Sequence, residues 1–268
     1  MKNIPHDYYL KFVNSSVYDE VLDFHSNGNY TIHEAFQRRT CLHSISDQDI
    51  AQLTGNELRL YADMDLTFPV AMSSCEEVDC LYRNESCERF LPSEIDFSVV
   101  EKLVEPLLSR KKESYKRGYP SGGALYPVEV FICSLFEGNH SWPYAGKVLH
   151  LLPNSGRFEV MQSSVKVDQL KKSLLTASQS IGCPSFALVY MVYLPKVIFK
   201  YRYRGYRLAL MEVGSIYMLV ELRAKSLGLV CRLWSGYTDT MLSKSLGLNP
   251  AMFLPMCVHF IGETHESI

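Results

Sequence analysis

The sequence predicts an α+β protein, a single domain with a short helical extension at its N-terminus. Three observations point there. The runs "VEVFICSLF", "FALVYMVYL" and "MCVHFIGE" are rich in β-branched and aromatic residues and read as strands. The stretch opening with "FSVVEKLVEPLL", the segment "VDQLKKSLLTAS" and residues 204–227 place apolar side chains at helical spacing. Strands and helices alternate without the even period of βαβ units, which makes the class α+β. The chain has 268 residues, 47% hydrophobic and 21% charged, enough to bury a real core.

Taken in order, the extension covers residues 1–30 and the domain residues 31–268. Residues 31–46, "TIHEAFQRRTCLHSIS", predict a helix with Thr31 as N-cap, Glu34 at the capping-box position and a basic end. Residues 55–95 mix charge, Ser, Cys and Asn and read as an irregular, variable loop region. The helix starting at Phe97 shows Val99, Val100, Leu103, Val104, Leu107 and Leu108 on one side. The turn "YPSGGALYP" leads into the first strand. "VLHLLP" and "RFEVM" flank "NSG" as a hairpin, and "VDQLKKSLLTAS" follows as a helix. "FALVYMVYL" is the central strand. In the long helix after it, Leu208, Met211, Ser215 and Leu222 recur, and Gly228 suits the position just past its end. "LVCRLWSGYTD" is a strand entering a glycine turn, "TMLSKSLGL" a short helix, and "MCVHFIGE" the last strand.

Composition excludes several function classes. The net charge of −2 offers no global basic field for nucleic acid or anionic lipid. The N-terminus lacks an apolar signal segment, and the longest apolar run, at residues 186–194, is too short to span a membrane. The expectation is a cytoplasmic protein. The eight cysteines are mostly scattered beside apolar residues and read as free thiols in a reducing compartment. Cys75, Cys80 and Cys87 lie closer together, but no second pair or histidine completes a metal site.

Four segments can carry chemistry. In "PSGGALYP", Ser121 offers a hydroxyl, while Gly122 and Gly123 let the backbone approach a planar ligand. The segment has neither the phosphate-loop nor the dinucleotide glycine pattern, and it also reads as a plain strand-entry turn. In "QRRT", Arg38, Arg39 and Thr40 can hold a phosphate, or simply end a helix. In "LWSGYTD", a backbone amide at Ser235 and Gly236 can face a ligand atom. The fourth, "KYRYRGYRLALME", crowds Lys200, Arg202, Arg204 and Arg207 at a predicted helix start. It has the residue types of a nucleic-acid patch, but nothing extends its positive field. Cations at a helix N-terminus are unfavourable, so the crowding suggests a site in which Lys200 is driven toward neutrality as a base and Tyr201 relays a proton.

"QRRT", "YPSGGALYPVEVF", "KYRYRGYRLALMEVGSIY" and "LWSGYTD" follow in this order. Together they resemble the azoline-oxidising branch of the nitroreductase-superfamily flavoproteins, over residues 21–262. The resemblance implies a nitroreductase-like FMN-binding fold, a central, mostly antiparallel sheet flanked by helices, in a homodimer. It implies FMN-dependent dehydrogenation of peptide thiazolines and oxazolines to thiazoles and oxazoles in the maturation of a microcin-type peptide. Arg38, Arg39 and Thr40 would hold the FMN phosphate. Ser121, Gly122, Gly123 and Ala124 would line the isoalloxazine, and Ser235 and Gly236 would face flavin N5. Lys200 and Tyr201 match the catalytic pair. The partners implied are a Gly/Ser/Cys-rich precursor peptide and the cyclodehydratase and leader-binding subunits of a heterocyclase complex. Two departures separate the chain from general nitroreductases: Ala124 stands where they carry asparagine, and their C-terminal basic phosphate ligands have no counterpart. The rival functions are an NAD(P)H-dependent nitro or quinone reductase and a flavin-free scaffold subunit.

Overall fold

A computed structural model describes residues 8–29, 46–54, 79–110, 116–137, 142–144, 146–161, 167–174 and 181–265. The chain forms two compact units, one of Ile32–Asp79 and one of the remainder. In the smaller unit the described element is helix α2, Asp47–Thr54, opened by Ser46, whose hydroxyl accepts from the Asp49 amide at 3.2 Å.

The larger unit is built on a six-stranded sheet in the order β3-β2-β1-β4-β6-β5, with every neighbouring pair antiparallel. The strands are β1 Val128–Ser134, β2 Val148–Leu152, β3 Arg157–Val160, β4 Phe186–Tyr193, β5 Val230–Trp234 and β6 Phe253–Gly262. Among the described residues, helices α1 Ser15–Ser26, α3 Phe97–Val104, α4 Val167–Ser173, α5 Pro195–Tyr201, α6 Tyr203–Ser226 and α7 Asp239–Ser245 accompany it.

β4 is buried along its whole length, which explains its unbroken apolar run. Phe186, Leu188, Tyr190 and Val192 point into one core with residues of α1, α3, α5 and α6. Ala187, Val189 and Met191 point into the other with residues of α4 and α7. The β2–β3 hairpin pairs Leu152 with Arg157 and turns at Gly156, whose φ is 63°. In β6, Pro255 falls where the pairing with β4 shifts register, at a place that does not need its missing N–H.

The helix at Phe97 is shorter than its apolar spacing predicts. Pro106 cannot donate a helical hydrogen bond, so α3 ends at Val104 and one 3-10 turn, Glu105–Leu107, carries on the apolar face. Residues 82–95 are irregular, as expected, but are fastened to the sheet. The Cys87 amide donates to Cys231 O at 2.9 Å and the Leu91 amide to Glu263 O at 2.9 Å. Arg83 pairs with buried Glu221 of α6 at 3.1 Å, and His259 faces the same carboxyl at 3.6 Å. Cys133, Cys231 and Cys257 are buried free thiols, and no metal-type cluster occurs among the described residues.

The α5–α6 junction depends on Gly205. A Cβ there would stand 2.8 Å from the Val197 carbonyl oxygen, a backbone atom that cannot swing aside. Gly205→Ala is therefore expected to destabilise the fold by about 1–3 kcal/mol, although alanine is the better helix former. Urea unfolding of the two proteins measures this directly.

Candidate active site

The chain leaves β4 and enters α5 within two residues, with Pro195 as its first residue, where no donor is missed. α5 lasts seven residues. Arg202 then takes φ 50° and ψ −136°, which ends the helix and starts α6 on a new axis. Lys200 and Tyr201 therefore occupy the last turn of α5. This corrects the helix-start reading of "KYRYRGYR". Only Arg204 and Arg207 lie in the opening turns of a helix, while Lys200 sits at a helix end, where the macrodipole favours a cation. Arg202, Arg204 and Arg207 are all exposed.

The turn before β1 has an unusual backbone. Gly123, Ala124 and Tyr126 have φ values of 60°, 54° and 51°. Left-handed backbone at two non-glycine residues costs free energy, and the surroundings must hold it. Ser121 Oγ accepts from the Tyr126 amide at 2.9 Å, and the Ala124 amide donates to Ser121 O at 3.0 Å. The Tyr126 hydroxyl accepts from the Arg117 amide at 3.1 Å, while the Arg117 guanidinium lies 4.3 Å from the Tyr126 ring centre. Tyr119 meets Tyr126 edge-on at 5.6 Å and accepts from Arg117 Nη1 at 2.8 Å.

Two of the sequence segments converge at this turn. The place where Gly123 would carry a Cβ is taken by the Tyr201 hydroxyl, with Lys200 Nζ 3.0 Å from it. The Lys200 ammonium is also 5.3 Å from the Tyr201 ring centre. Gly122 packs as tightly on α6, since a Cβ there would be 2.9 Å from Leu208 Cδ1. Only glycines allow the amine and the phenol to rest on the backbone of the turn. Lys200 and Gly123 are exposed, and Tyr201 is half-buried. An amine and a phenol side by side on an accessible turn can take and give a proton at one substrate atom.

The third segment is placed separately. Gly236 lies on the Trp234 ring, with 3.0 Å from a would-be Cβ to Cζ2, and its carbonyl accepts from Trp234 Nε1 at 2.7 Å. Ser235 is exposed. Among the described residues no hydrogen bond joins Ser235 or Gly236 to the Gly123 cluster. The fourth segment, Arg38, Arg39 and Thr40, lies outside the described residues, as does the helix expected over residues 31–46 apart from Ser46.

Sequence reading passed over Glu212. It lies on α6, 1% exposed, and its Oε1 accepts from the Val128 amide at 3.3 Å at the start of β1. Burial pushes its carboxyl up to about 7, although the Ser121 hydroxyl, the Val128 amide, Arg117 and Lys196 each pull the other way. Next to it, Glu129 pairs with Lys196 at 3.3 Å and His150 at 3.2 Å. Burial would raise Glu129, but these two partners outweigh it and hold the carboxyl at about 2. The signal for Glu212 was available: it is a lone carboxylate on the apolar stripe of Leu208, Ala209, Val213 and Ile216.

The Nitroreductase family model matches residues 82–262, which include the turn, the Lys200–Tyr201 pair and Glu212. The chain belongs to the nitroreductase family. Among its relatives, the microcin B17-processing protein McbC of Escherichia coli is 38% identical over 256 residues, covering 92% of this chain and 90% of McbC. The trifolitoxin-processing protein TfxB of Rhizobium leguminosarum bv. trifolii is 26% identical over 188 residues, 66% of this chain and 49% of TfxB. A chain of the E. coli microcin synthetase McbBCD complex, solved with truncated pro-MccB17 bound, superposes with a TM-score of 0.83 at 32% identity over 99% of both chains. A nitroreductase-type structure from Ralstonia eutropha reaches a TM-score of 0.59 at 14% identity, over 75% of this chain and 89% of that one, and supports the fold alone. The expected nitroreductase-like α+β fold is thus present. No helix among the described residues is long and apolar enough to cross a membrane.

Proposed function

We propose that this nitroreductase is an FMN-dependent azoline dehydrogenase, which oxidises thiazolines and oxazolines of a ribosomally made, microcin-type peptide to thiazoles and oxazoles. The observation that carries the reading is the seating of Lys200 and Tyr201 on Gly123. It brings together two of the four sequence segments that bear the azoline-oxidase resemblance. The 38% identity to a microcin-processing protein over nearly the whole chain supports the same substrate class.

The residues present fit FMN. The donor set of amides, hydroxyl and amine around the turn suits the polar edge of a flat heterocycle. Ser121, Gly122, Gly123 and Ala124 would line the ring, Ser235 and Gly236 would face its reacting edge, and Arg38, Arg39 and Thr40 would hold the phosphate. When bound, FMN supplies the two-electron acceptor for the hydride that leaves the azoline Cβ.

The chain's own residues do the rest. The azoline Cα–H is acidified by the adjacent carbonyl and C=N. Lys200 takes that proton, and Tyr201 shares its hydrogen-bonding and holds the ring in place. The product is aromatic, which drives the step forward. The partners would be a Gly/Ser/Cys-rich precursor peptide and the cyclodehydratase and leader-binding subunits of a cytoplasmic heterocyclase complex. A homodimer is in keeping with Tyr203, Leu210 and Met211, exposed on α6.

The test is direct. The purified protein is expected to be yellow, and each azoline ring in a peptide given to it should lose about 2 Da as two hydrogens depart. An unchanged peptide mass overturns the reading. Rapid bleaching by NADPH in its place would identify a nitro or quinone reductase, and a colourless protein a scaffold.

A further inference from the structure

Glu212 is buried on α6 directly behind the turn that carries Gly123. One oxygen accepts from the first amide of β1, and the other, Oε2, is buried without a hydrogen-bond partner among the described residues. Buried carboxyls with an open position are costly and survive in a core when they hold something else in place. Here the thing held is the strained segment from Ser121 to Val128. Its left-handed residues, Ala124 and Tyr126, need restraint at both ends. Val128 at one end donates to the Glu212 carboxyl, and Ser121 at the other lies near enough to influence it.

We infer that Glu212 is a positioning residue: from α6 it clamps the two ends of the 121–128 turn and so keeps Gly123 beneath Lys200 and Tyr201. The inference rests on the proposed azoline-oxidase reading only for the use to which the pair is put; the clamp itself concerns this chain's fold. The groups facing Glu212 are Ser121, Arg117 and Tyr119 from the turn side and Lys196 from α5, with Glu129 of β1 and, through it, His150 of β2 next in line.

The clamp is coupled to proton uptake. With the turn closed, burial holds the Glu212 carboxyl near 7, whereas opening would expose it to water and return it to the ordinary range near 4.5. The closed turn therefore binds the proton more tightly than the open one. Linkage then gives the sign: closure is favoured below pH 4.5–7 and weakens as pH rises through about 7. His150, pulled down by burial but raised on balance by Glu129 and Glu159, titrates in the same direction, so the wild type alone does not isolate Glu212.

The experiment is hydrogen exchange by mass spectrometry on the purified chain with no flavin added, comparing wild type, Glu212→Ala and Glu212→Gln, with rates corrected for intrinsic pH dependence. In Glu212→Ala the peptide over residues 119–128 should exchange about tenfold faster at every pH, as expected for one lost buried anchor, while β4 peptides stay protected. In wild type the same peptide should lose about tenfold protection between pH 6 and pH 8.5, the scale set by a carboxyl near 7. Glu212→Gln, a neutral isostere, should match wild type at pH 6 and hold that protection at pH 8.5. Unaltered exchange at 119–128 in Glu212→Ala, a uniform rise that includes β4, or a Glu212→Gln profile that follows wild type with pH would each overturn the clamp. None of these readouts uses flavin or azoline, so failure of the azoline-oxidase reading would show separately, as an unchanged peptide mass in the wild type.

Discussion

Lys200→Ala is expected to retain FMN and the fold yet lose azoline oxidation by about 10²–10⁴-fold, the range that a positioned general base supplies. The separation follows from where Lys200 sits. Its side chain is exposed and takes no part in the buried clusters, so truncation leaves the cores intact. Its side-chain nitrogen lies over Gly123 and beside the Tyr201 ring, so truncation takes that amine away from the turn. The loss should appear in kcat with KM little changed, because the amine acts on a proton in flight and not on ground-state binding. Tyr201→Phe keeps the ring that packs on the core and removes only the hydroxyl resting on Gly123. A smaller fall than in Lys200→Ala is expected, with FMN still bound. Flavin absorbance at constant loading, combined with the mass change of an azoline peptide, reads both variants. Full activity in both would remove the pair from the chemistry.

This assignment stands on different electrostatics from those that the sequence suggested. The string "KYRYRGYRLALME" shows no break, so its cations appear to share one helix start. The break is conformational: Arg202 adopts a left-handed φ that no composition rule announces, and it leaves Lys200 at the end of α5. Lys200 is placed for proton transfer by its position over Gly123 beside Tyr201 and not by a crowded helix start.

The fold was more legible than the site because its signals are local. β4, the β2–β3 hairpin and α6 follow from apolar spacing, β-branched content and glycine at turns. The end of α3 was written in Pro106, and only the continuing apolar spacing of Leu107 and Leu108 obscured it. The site joins residues far apart in the chain. Gly123 meets Tyr201 and Val128 meets Glu212 across elements, and such contacts leave no trace in spacing. Glu212 was the exception, visible as a lone carboxylate on an apolar stripe.

The second large effect is expected at Gly123 itself. Gly123→Ala combines two penalties that can be told apart. A left-handed φ costs a non-glycine residue roughly 1–2 kcal/mol in stability. The added methyl also overlaps the Tyr201 hydroxyl and crowds Lys200 Nζ at 3.0 Å. The phenol belongs to a ring packed against the core and cannot simply swing out, so the pair must lift off the turn together. A displacement on the order of 1 Å in a reacting group lowers rates about 10²-fold. Gly228→Ala provides the control. Gly228 has φ 72°, nearly the same backbone demand, with no atom within 4 Å of its would-be Cβ. Both variants should lose stability in denaturant, Gly123→Ala the more because of the overlap, but only Gly123→Ala should lose azoline oxidation by about two orders of magnitude or more. Equal activity in the two would mean that the contact between Gly123 and the Lys200–Tyr201 pair is mere packing, and the proposed site would lose its central observation.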